Sequence, residues 1–167
     1  MNRQHERLIE WACQKVMRQY YKHVDQYEYE DAAALFTEDA TWKVMGVDLK
    51  GHDQILEGLY EGLQSGTIRH VLTNTVVTVI DEDHAEARSY NNIYYSPRAR
   101  SDAIEGALPF DGPNRISDHY ASFSRTGDGW KMSSRVGRVI FRSKGEELAL
   151  EIWADKEGLL LDQSFDA

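Results

Sequence analysis

The chain is poor in three things, and each scarcity removes a class of protein. It has one cysteine in 167 residues, so no internal disulfide framework and no cysteine-based metal cluster can form. Cys13 lies inside "LIEWACQKVMRQYY", a stretch of helical spacing, and reads as a buried structural thiol rather than a nucleophile. Basic residues are outnumbered, 19 Lys and Arg against 28 Asp and Glu, for a net charge of −9. That balance favours solubility and argues against a nucleic-acid partner, which needs clustered cations. No apolar run approaches the roughly 18–20 residues of a membrane span. The opening "MNRQHERLIEW" carries charges where a secretory leader has its apolar core, so the expectation is a cytoplasmic protein.

What is present describes a single domain over 1–167. Hydrophobic residues make up 41% and charged residues 28%, an ordinary globular profile. Leu8, Ile9, Ala12, Val16, Tyr20 and His23 recur at helical spacing and predict an amphipathic helix over about residues 3–24. A shorter helix is predicted over 28–36, a strand in "TEDATWKVMG", and a third helix in "GHDQILEGLYEGLQSG". The period then changes to two. "TIRHVLTNTVVTVI" and "HAEARSYNNIYY" read as strands joined by the acidic turn "DEDH". "RISDHYASFSRT" and "GWKMSSRVGRVIFR" make a second hairpin about "TGDG". Between the hairpins lies "SPRARSDAIEGALPFDGPN", which holds all three prolines. At roughly 19 residues it is long for a connection within a compact domain. Helices followed by meandering antiparallel strands predict an α+β fold, a curved sheet with helices on one face. Residues 143–167 form a C-terminal extension to that core.

His70 lies between Ile68 and Leu72 on one face of its predicted strand. It is either a satisfied core histidine or a functional one with a carboxylate partner. Most acids are accounted for by helix starts and turns, but Asp25 stands at the C-terminal end of the first helix, where the dipole disfavours an anion. Tyr20, Tyr21, Tyr27 and Tyr29 surround it in sequence. It either caps the next helix or has a function to serve. The six histidines form no HxH or HExxH arrangement, so no metal site is expected. His119 alternates with Ala121 and Phe123 and is divided between core and site. One of Asn91 and Asn92 must face inward, and Asn92 is taken as a substrate contact. Phe36, Trp42, Leu59, Leu72, Tyr94 and Phe123 are expected to wall a pocket for a flat apolar or aromatic ligand.

"HVDQ" ahead of "ALFTEDATW", then "RHVLTN" and the closing "DHYASFSRTGDGWKMSSRVGRV", resemble the SnoaL-like branch of the nuclear transport factor 2-like superfamily over residues 5–142. The resemblance implies a cone-shaped, cystatin-like sheet. It is nearest to the scytalone dehydratase and hexachlorocyclohexane dehydrochlorinase types, in which an aspartate ending the first helix pairs with a histidine. That carries over to Asp25 and His70. The dehydrochlorinase arginine carries over to Arg135 in "GWKMSSR", and dehydratase tyrosines to Tyr20 or Tyr21 and to Tyr94 or Tyr95. With no flavin or nicotinamide motif, the expected reaction is proton abstraction with elimination or isomerisation, without cofactor. The protein is expected to act on a small molecule as a homodimer or homotrimer. A non-catalytic small subunit of a ring-hydroxylating dioxygenase and a ligand-binding module are the alternatives.

Overall fold

The computed structural model describes residues 1–44, 46–62, 66–97, 107–108 and 112–143. The C-terminal tail and most of the proline-bearing connection lie outside the described residues. Helix α1 spans Arg3–Asp25, α2 Tyr29–Ala33 and α3 Gly51–Gly62. Strands β1 (Phe36–Val44), β2 (Val47–Lys50), β3 (Thr67–Val79), β4 (His84–Ser96), β5 (Arg115–Thr126) and β6 (Gly129–Arg142) form one sheet in the order β2-β1-β6-β5-β4-β3. The architecture is α+β, as expected. The sheet is mixed rather than purely antiparallel, because β1 runs parallel to β6. Strand β2 was not foreseen: "VDLK" is too short for its alternation to be distinctive, and it exists by pairing with β1.

Asn2 starts α1 by accepting the His5 amide at 2.9 Å. Ile9, Cys13, Val16, Met17, Tyr20, Tyr21 and Val24 form the buried stripe of the helix. Leu8 was expected on that stripe but is exposed, one residue round the helix from Ile9. The stripe packs on β3, β4 and β6. Ala85 and Ala87 of β4 are buried and small, which lets the helix approach closely. Burial pushes the Cys13 thiol up to about 12, leaving it inert as a nucleophile. No described helix is long and apolar enough to cross a membrane.

Paired positions in the ladder point to the same face, so one inner surface can be read across the sheet. It carries Ile68, His70 and Leu72 of β3, opposite Tyr95, Ile93 and Asn91 of β4. Ser89 and Asn91 in turn face His119 and Ser117 of β5, while Ala121 faces Arg135 of β6, which faces Trp42 of β1. Strand β3 does not alternate throughout. Between Thr73 and Val76 the register slips by one residue, and Asn74 adopts φ 51°. This bulge turns Val76 outward and Val77 inward, reversing the face that strict alternation gives them.

Candidate active site

Asp25 is the last residue of α1, and β3 meets it there. Its Oδ1 lies 2.6 Å from His70 Nδ1, and its Oδ2 accepts the His70 backbone amide at 3.0 Å. Arg69 donates to the Asp25 carbonyl at 3.1 Å, so both halves of the residue are tied to the strand. These donors answer the unfavourable helix end: a carboxylate there is held by two N–H groups of one residue. Asp25 does not cap α2, whose N-cap is Glu28. A carboxylate only accepts, so Nδ1 of His70 carries the proton and Nε2 keeps the free lone pair. The His70 and Asp25 side chains are 9% and 12% exposed. Burial lowers the His70 pKa below its ordinary 6.5; Asp25 opposes the shift, and Arg135 and Arg115 reinforce it. His70 is therefore neutral at physiological pH.

Both residues line an open cleft of about 430 Å³ with Arg18, Tyr21, Lys22, Val71 and Leu72. The Tyr21 ring lies 5.0 Å from that of His70, tilted by 32°. Behind it sits a second polar group. Arg135 Nη2 donates to the Tyr21 hydroxyl at 2.8 Å and to His119 Nδ1 at 3.0 Å. His119 Nδ1 has one lone pair, and the guanidinium donor is nearer to it than the Tyr21 oxygen, at 3.2 Å. The Tyr21 proton is thus free to turn toward the cleft that Tyr21 lines. Arg135 is 6% exposed, and among the described residues no carboxylate pairs with it. The faces of Tyr20, Trp42 and Tyr21 surround its cation at 4.6, 5.1 and 5.3 Å. His119 packs against Gly137, where an added Cβ would lie 3.0 Å from the ring. Burial first, then Arg135, holds the His119 pKa well below its ordinary value.

A sequence profile for the SnoaL-like domain matches residues 6–136, from α1 into β6. The chain belongs to the SnoaL-like domain family. Solved structures share the fold. A hexachlorocyclohexane dehydrochlorinase from Novosphingobium barchaimii superposes with a TM-score of 0.69 at 17% identity, over 85% of this chain and 93% of its own. A Novosphingobium aromaticivorans protein provisionally described as a scytalone dehydratase gives 0.68 at 20%, over 84% and 89%. A Nostoc punctiforme protein of unknown function and cystatin-like fold gives 0.65 at 17%, over 78% and 90%. At these identities the likeness is one of fold. No curated protein sequence matches the chain.

Within this SnoaL-like domain the expected site residues divide. Asp25, His70, Tyr21 and Leu72 meet at the cleft, with Arg135 bonded to Tyr21 and, behind it, to His119. Of the two tyrosines, Tyr21 lines the cleft, while Tyr20 is buried beneath Arg135. Phe36, Leu59 and Phe123 belong to the packed core rather than to the cleft lining, and Trp42 packs against Arg135. Tyr94 pairs with Arg69 on the outer face, leaving Tyr95 on the inner one. Asn92 is likewise turned outward, where its amide donates to the Val71 carbonyl at 3.3 Å; Asn91 faces inward. Both corrections follow from the phase of β4, which a doubled Asn or Tyr leaves open. Arg18 and Lys22 were missed. Their positions seven and three residues before Asp25 on one helix could have placed them on the same side. His23, Glu28 and Asp31 bring potential ligand atoms within 4.8 Å of one another, but His23 and Lys22 already engage the Glu28 carboxylate.

Proposed function

We propose that the protein is a cofactor-independent lyase, abstracting a proton from carbon and expelling a leaving group from a small, largely apolar ring substrate. The observation that carries this reading is the 2.6 Å bond between Asp25 and His70 in the wall of an open cleft. His70 Nε2 takes the proton, and Asp25 holds the tautomer and stabilises the imidazolium that forms. A buried guanidinium with no carboxylate partner among the described residues is suited to a developing negative charge, and it polarises the Tyr21 hydroxyl. Tyr21 then donates to, or holds, the departing group. The dehydrochlorinase among the similar structures performs an elimination by name, which supports the reaction class. A scaffold subunit has no use for an oriented neutral imidazole at a cleft.

The test is His70→Ala assayed on a panel of cyclic hydroxy and halo compounds, following absorbance of the conjugated product. Turnover seen with wild type is expected to vanish, with the melting temperature within a few degrees. Retained turnover in the variant, or no elimination by wild type across the panel, overturns the reading.

A further inference from the structure

Asn91 is out of keeping with its surroundings. It is 1% exposed, and neither its Oδ1 nor its Nδ2 has a hydrogen-bond partner among the described residues. Two places away on the same face, Ser89 is fully buried with an equally unpartnered Oγ. Their neighbours along that face of β4 are Ala85, Ala87 and Ile93. Buried amides are almost always satisfied. An aliphatic side chain would fill either position without the cost of stripping water from a polar group that gains nothing in return. A polar pair in this state has hydrogen-bonding capacity that no described residue takes up.

The ladder shows where. Asn91 is the direct partner of Leu72, which lines the cleft, and Ile93, two residues on, is the partner of His70. Ser89 is the partner of His119. Asn91 and Ser89 thus bridge the inner surface between the Asp25–His70 pair and the Arg135–Tyr21–His119 group. Leu72, half-buried in the cleft wall, is the residue through which Asn91 adjoins the cleft. Diagonal cross-strand neighbours stand about 7–8 Å apart, the span of a six-membered ring with one substituent.

We propose that Asn91, with Ser89 beside it, is the polar anchor of the ligand site, and that the ligand is a ring compound bearing a hydroxyl or carbonyl oxygen. A primary amide offers one donor and one acceptor side by side. A hydroxyl answers both and a carbonyl answers the donor, whereas a carbon-bound halogen or methyl answers neither well. This rests on the same cleft being the site of turnover, and it narrows the substrate to an oxygenated one. The substrate oxygen sits at the amide, and a neighbouring ring carbon is turned to His70.

The probes are 2-naphthol and its isostere 2-methylnaphthalene, titrated by naphthalene fluorescence into wild type, Asn91→Leu and His70→Ala, each checked for fold by circular dichroism. Wild type is expected to prefer 2-naphthol by about tenfold, one neutral hydrogen bond's worth. Asn91→Leu brings the two within about twofold, and Asn91→Ala replaces it should the leucine not fold. His70→Ala keeps the preference, which separates this inference from the one about turnover: a protein without lyase activity can still show it. Equal affinities in wild type, no binding of 2-naphthol, or an unchanged preference in the Asn91 variants overturns the proposal.

Discussion

Protonation in this site is set by who can donate to whom. Asp25 accepts twice from His70, and that fixes the free lone pair on Nε2. Arg135 donates twice from one nitrogen, and that leaves the Tyr21 hydroxyl with a proton to give. Tyr21→Phe removes the proton but leaves the 3.0 Å bond between Arg135 and His119. It is expected to lower kcat by about 10²-fold, the lower range for a general acid, with little change in KM. A KM rise at constant kcat would instead make Tyr21 a binding residue. Asp25 and His70 could be singled out in the sequence because each is misplaced by ordinary rules, an anion at a helix C-terminus and an imidazole among aliphatics. Their bond could not, since it joins positions 45 residues apart and depends on how α1 lies across β3. Asn91 was invisible for a different reason: a polar doublet in a strand leaves the inward residue undecided until the phase of β4 is known.

At the level of elements, the site depends on the junction of α1 with β3. Three hydrogen bonds tie residue 25 to residues 69 and 70, so the helix end and the strand move together. Farther along β3 the bulge at Asn74 restores Val77 and Val79 to the core after the polar stretch. Its φ of 51° is one that asparagine and glycine accept and β-branched residues resist. Asn74→Gly is expected to melt near wild type and Asn74→Val to lose about 1–2 kcal/mol, read from denaturant midpoints. Equal loss in both would mean that the Asn74 side chain, not its backbone, matters. Period carried most of the element reading: α1, α3 and both hairpins repeat long enough to be recognised. The bulge and β2 were not legible, because one is an interruption of a pattern and the other is too brief to have one. The parallel pairing of β1 with β6 is likewise a tertiary fact, set by α3 and the hairpins between them.

For the whole molecule, two buried neutral imidazoles couple folding to pH. The His70 and His119 pKa values both lie below 6.5, chiefly through burial. The unfolded chain takes up those protons at about 6.5, before the folded one does. In the window below 6.5 the unfolded state therefore binds more protons, so stability is full above it and falls as pH drops toward the folded values. The melting temperature is expected to hold from pH 8 to about 6.5 and then decline, with a shallower decline in His119→Asn. A flat profile down to pH 5 would show that neither ring resists protonation. Activity limited by His70 follows the same direction, level above 6.5 and lost on acidification. The fold class was readable from composition and the order of helices and strands. The cleft was not, because it is the gap left between α1 and β3 and no single segment encodes it.

The most direct measurement is the titration of the His70 imidazole by NMR in wild type and in Asp25→Asn. Asp25 is the partner that raises this pKa against burial. The wild-type value is expected below 6.5, and loss of the carboxylate is expected to lower it further. An unchanged curve in Asp25→Asn would contradict the Asp25–His70 pair, and with it the proposal that His70 is the base.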